Sequence, residues 1–184
     1  SFYKIKDLEK ICTSNNFCLL DSKPEIIGDV GFVGNIGWYD YSFADVKSDN
    51  EIVIQENDNY RVVKLSKMSD LDFAAKKFIF INEFRNRTVV WNDVKYINWK
   101  FSDKEFLELQ IEKLDNNLNE ISSLVNNIVY ISHHIPIKEF VYRKNDNEMW
   151  NLMNAYQGSQ RLGDVVLRNK KLSTIICGHS HIPD

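Results

Sequence analysis

Ser173-Thr174-Ile175-Ile176 runs into Cys177-Gly178-His179-Ser180-His181-Ile182-Pro183-Asp184. A short, continuous apolar run bounded by a glycine reads as a buried strand. Gly178 lets the backbone turn sharply where a side chain would clash. His179 and His181, two positions apart on the loop beyond, aim two imidazoles at neighbouring points. Imidazole suits zinc, iron, manganese, nickel or copper. The chain has four histidines, and the other two are adjacent, in Ser132-His133-His134-Ile135-Pro136. They follow a second strand-like run, Ile128-Val129-Tyr130-Ile131. One His-x-His alone reads as an ordinary exposed loop. Two clusters at equivalent strand ends favour a metal site.

Between and before these motifs, hydrophobic spacing sets the architecture. Ser102 and Glu105 make a capping box, and Leu107, Ile111, Leu114, Leu118, Ile121 and Val125 recur at steps of four and three. That is one apolar stripe, which predicts a packed helix from Ser102 to about Asn126. Helices are also expected near residues 148–156 and 160–169. Helix, strand, histidine loop, helices, strand, histidine loop is an α/β pattern. In open α/β sheets the strands' carboxyl ends hold the site, and both histidine motifs fall at such ends.

Further upstream, residues 4–15 carry Ile5, Leu8 and Ile11 at helical spacing. Phe17-Cys18-Leu19-Leu20 is expected as a buried strand and Asp21-Ser22-Lys23-Pro24 as a turn. Glu25 to Ile27 and Val30 to Val33, joined by Gly28-Asp29, predict a hairpin. Residues 44–60 are polar and acidic and read as a surface excursion. Ser69-Asp70-Leu71-Asp72 opens a short helix. Phe78-Ile79-Phe80-Ile81 is too continuously apolar for an exposed helix. Arg168-Asn169-Lys170-Lys171 places cations where a helix C-terminus favours them.

Composition narrows the class. The 184 residues suit one domain. A hydrophobic share of 43% and a charged share of 27% are those of a globular chain. No apolar run is long enough to span a bilayer. A net charge of −3, with Arg168-Asn169-Lys170-Lys171 as the densest basic cluster, argues against a dominant nucleic-acid surface. Cys12, Cys18 and Cys177, odd in number and irregular in spacing, suggest reduced thiols and a cytoplasmic location.

Gly178-His179-Ser180-His181 resembles the Gly-His-x-His motif of the calcineurin-like metallophosphoesterases, and Ser132-His133-His134-Ile135-Pro136 their upstream histidine motif. Gly34-Asn35-Ile36-Gly37-Trp38-Tyr39-Asp40-Tyr41-Ser42 is similar to a stretch of some prokaryotic members. So is Asn154-Ala155-Tyr156-Gln157-Gly158-Ser159 with Leu162-Gly163. The resemblance runs from about Asn35 to the end. It implies a sandwich of two β-sheets flanked by helices, of which this chain would be the C-terminal portion. It implies a phosphoester substrate and two divalent transition-metal ions (manganese, iron, zinc or nickel). By the resemblance, His133 and His179 would ligate one metal and His181 the other. His134 would either support a ligand or face the substrate, and Trp38 and Tyr39 would line the substrate pocket.

The family's Asp-x-His, Gly-Asp-x-x-Asp and Gly-Asn-His motifs do not occur here. Gly28-Asp29 and Gly34-Asn35 imitate the last two but are too close together to end separate strands of a βαβ unit. The upstream motifs are therefore expected before Ser1, where an upstream part of the same protein would complete the site and supply the catalytic acid. Two other readings stay open. One is a metal-binding but inactive phosphoesterase-like domain. The other is a single structural zinc held by His133, His179, His181 and Cys177.

Overall fold

The computed structural model describes residues 2–81 and 86–180. It is a mixed α/β fold with two four-stranded sheets. The first sheet has the order β1-β2-β7-β8, made of Glu25–Ile27, Val30–Asn35, Asn127–Ser132 and Leu172–Cys177. β1 and β2 form the expected hairpin, turned at Gly28 with a φ of 63°. β2, β7 and β8 are parallel, and their registers pair Asn35 with Ser132 and Ser132 with Cys177. Both histidine loops therefore leave the same end of the same sheet from adjacent strands. The second sheet is antiparallel, in the order β4-β3-β5-β6, made of Asn59–Lys64, Glu51–Glu56, Lys77–Phe80 and Arg87–Val90.

The helices are α1 (Phe2–Ser14), α2 (Asp70–Ala74), α3 (Asp93–Tyr96), α4 (Asp103–Ile121), α5 (Glu148–Met153) and α6 (Gln160–Leu167). The capping box of α4 forms: the Ser102 side chain accepts from the Glu105 N–H, and the Glu105 carboxylate accepts from the Ser102 N–H. Leu107, Leu114, Leu118 and Ile121 are buried, and α4 packs on β2 and α6. One core joins Val33, Ile128 and Tyr130 of the first sheet to Ile52, Ile54 and Phe78 of the second.

Three expectations are corrected. α4 ends at Ile121 rather than near Asn126, because the chain turns at Ser122–Leu124, yet Val125 still reaches the core. Phe17–Leu20 forms no strand; Phe17 lies 71% exposed. The acidic residues 44–60 are not an excursion throughout. They contain β3 and the start of β4, joined at Asn57, whose φ of 54° suits the turn. Ile52 and Ile54 alternate inward there, with half-buried Val53 between them and Glu51 and Glu56 exposed at the strand ends. The basic cluster near residue 170 does serve a helix end, but that of α4: Lys171 Nζ donates to the carbonyls of Ser122 and Val125. No helix among the described residues is long and apolar enough to cross a membrane.

Candidate metal centre

His133 and His179 converge. His179 Nδ1 lies 3.0 Å from His133 Nε2. The rings stand 4.8 Å apart at 78°. Two imidazole nitrogens bound to one tetrahedral zinc, each at about 2.0–2.1 Å, lie about 3.3 Å from each other. The observed spacing fits a pair of ligands to one ion. Among the described residues, no group of three or more His, Cys, Asp or Glu is placed to hold a metal. The two imidazoles alone do not make such a group. His181 lies outside the described residues. His179 has a φ of 72°, sparsely populated by residues with a Cβ, and such outliers cluster at functional sites.

Segments far apart in sequence hold the loop 133–136 in place. The Gly178 N–H donates to the His133 carbonyl. The His134 N–H donates to the Ile36 carbonyl just past β2. The Ile135 N–H donates to Gln157, and the Ile135 carbonyl accepts from the Ser159 N–H. The Pro136 carbonyl accepts from the Gly163 N–H in α6. Two of these approaches require glycine. A Cβ on Gly158, whose φ is +157°, would fall on the Ile135 carbonyl oxygen, and one on Gly163 would fall on that of Pro136. The Gln157-Gly158-Ser159 and Leu162-Gly163 pattern thus has a local physical reason: it lets backbone meet the histidine loop directly.

His134 is held differently from His133. Its Nδ1 lies 2.9 Å from the same Ile36 carbonyl, which can only accept, so Nδ1 carries the proton. Burial pushes its pKa down to about 3, with His179 adding to the effect. His134 is therefore a neutral ring with a fixed tautomer. It stacks on His179 at 4.6 Å and 25°. Behind it lie Trp38, at 5.1 Å, and Tyr39, at 5.7 Å. Both are buried, 3% and 0% exposed, so they back the histidines rather than line an open wall. Trp38 Nε1 donates to Asp103, which also accepts from Lys76 Nζ at 2.8 Å and from the Tyr41 hydroxyl. Burial and the Asp103 charge push the Tyr39 hydroxyl well above its ordinary range.

The carboxylates nearest in sequence to these motifs are engaged elsewhere. Asp40 accepts from Ser42 and from Ser159, the N-cap of α6. Asp29 sits at the opposite end of the sheet, where its carboxylate accepts from the Asn126 side-chain amide and its carbonyl from the Asn126 N–H. Asn35 is buried between Tyr130, whose hydroxyl donates to it, and the Gln110 carbonyl of α4. Gly34-Asn35 is therefore a packing feature. Cys177 packs against Phe43, Ile135 and Val141, as a small hydrophobe does.

One neighbour of the site carried no motif. Trp91, just past β6 on the second sheet, has its ring 5.7 Å from that of His179. Its only sequence signal is an aromatic residue directly after the β-branched run Thr88-Val89-Val90. No protein-family model, curated protein or solved structure matches the chain.

Proposed function

We propose that this chain is the histidine-bearing C-terminal portion of a calcineurin-like metallophosphoesterase, with the sheet sandwich of that family, acting on a phosphoester. The observation that carries the reading is the 3.0 Å approach of His133 and His179 from the ends of adjacent parallel strands. In the reaction a water oxygen bonds to phosphorus, the ester P–O bond breaks, and the leaving alcohol takes a proton. Bound divalent ions would activate that water and neutralise phosphoryl oxygens. His133 and His179 would hold one ion, and His181 the other. His134, neutral and locked to Ile36, keeps the His179 ring oriented from below. A hydrogen bond between His133 and His179 would give way to shared ligation, since a ligating nitrogen must be deprotonated.

Metal analysis tests this on the 184-residue chain. The three histidines carry no negative charge to offset two adjacent dications. After dialysis against manganese, the chain should retain at most one ion and hydrolyse an aryl phosphate poorly. His133→Ala or His179→Ala should abolish the retention. Retention unaffected by either change would sink the metal reading. Two tightly held ions, with activity lost in His179→Ala, would show that carboxylates of this chain complete the site.

A further inference from the structure

We infer that Trp91 is a specificity-determining residue of the proposed phosphoester site, a stacking platform for a planar aromatic ring in the leaving group; the inference rests on the phosphoesterase reading. Trp91 is held from three sides. Its backbone N–H donates to the Lys76 carbonyl at 2.8 Å. One ring face stacks on fully buried Tyr156, at 4.9 Å and 17°. Its Nε1 donates to Asp93 at 2.8 Å, and the same carboxylate oxygen accepts from the Tyr39 hydroxyl at 2.8 Å. Yet the residue is only partly buried. A tryptophan that merely fills space needs neither a fixed rotamer nor remaining open surface beside a candidate ligand. A recognition platform needs both, because a preorganised ring gives contact area without an ordering cost.

Position supplies the rest of the argument. The Trp91 ring lies 5.7 Å from that of His179, so a phosphoester bound at the proposed centre would have Trp91 among its near neighbours. The segment that Trp91 opens carries Tyr96, 78% exposed, and Phe101, 38% exposed. Trp99, further along it, packs 4.9 Å from Trp38 and so belongs to the aromatic layer behind His134. A flat ring with a π-face gains far more from the Trp91 ring than a flexible aliphatic alcohol does.

The phosphoesterase reading expects further residues before Ser1, so the test uses the longer protein which that reading implies, loaded with manganese. Adenosine 5′-monophosphate and glycerol 3-phosphate are both primary alkyl monoesters, so the ratio of their kcat/KM values reads ring recognition rather than leaving-group chemistry. Trp91→Ala should lower that ratio by about fivefold to about 150-fold, the range that loss of base–aromatic stacking produces. Trp91→Phe should keep most of it, and metal content per chain should not change. Equilibrium dialysis of the adenosine ester should show the same loss in binding. If Trp91→Ala fails to fold, Trp91→Leu keeps the apolar bulk without the π-face and makes the same comparison. An equal loss for both esters, or a loss of metal, would overturn the inference and leave the phosphoesterase reading standing; Trp91 would then only pack His179. A wild-type protein that neither binds nor cleaves either ester would overturn both.

Discussion

β2 of the first sheet has no exposed residue, whereas β4 of the second is exposed at five of its six positions. The first sheet runs mostly parallel and receives α4 on β2, as parallel strands require cover. The second is wholly antiparallel and leaves β4 as a solvent-facing edge. The consequence reaches the site. Around the first sheet, changes far apart in sequence act on one short loop, because residues near 36, 158, 163 and 178 all bond to residues 133–136. Along β4, apart from Arg61, which pairs with buried Asp72 of α2, a change stays local.

The contact that ties the two halves together should give the largest effect. Asp103 at the start of α4 joins Trp38 and Tyr41, which follow β2, to Lys76, which precedes β5. Asp103→Ala leaves the Lys76 charge buried without a partner, and should cost roughly 3–5 kcal/mol in urea melts. A loss under about 1 kcal/mol would mean that the two halves are not coupled there. Leu114→Ala, in the buried stripe of α4, should cost roughly 2–5 kcal/mol. A surface-like loss would break the claim that the first sheet's cover is tightly packed. Gly158→Ala should cost about 3 kcal/mol, the upper end for overpacking, and should also displace the histidine loop. The ring resonances of His133 and His134 should shift in this variant; unchanged spectra would mean that the loop does not depend on that approach. The smallest effect belongs to β4: Val62→Ala, at a residue 58% exposed, should fall within about 0.5 kcal/mol. A loss near that of Leu114→Ala would erase the contrast.

The same contrast governs how much could be read from sequence. β7, β8 and α4 were legible, because continuous apolar runs and a capping box with three-four spacing are strong local signals. The convergence of His133 and His179 followed from their equivalent strand ends. The hairpin of β3 and β4 was missed because its inward signal is short, chiefly Ile52 and Ile54, and an edge strand needs few apolar residues. Phe17–Leu20 misled in the opposite direction: Leu20 rests against Gly34 of β2, but Phe17 and Cys18 stay exposed and no strand pairs with the segment. Trp91 was not legible at all. Its place beside His179 depends on the second sheet's β6 ending near the first sheet's histidine loops, and no local pattern encodes such a meeting.

The two hydrogen bonds that His134 gives to one carbonyl oxygen, that of Ile36, have a spectroscopic consequence. A main-chain atom just past β2 dictates which ring nitrogen carries the proton on the loop after β7. The proton on His134 Nδ1 is both buried and bonded, so its exchange with solvent should be slow enough for a separate ring N–H resonance. That signal would act as a gauge of the spacing between two neighbouring segments. It would fade when they part, before any change in secondary structure could be detected.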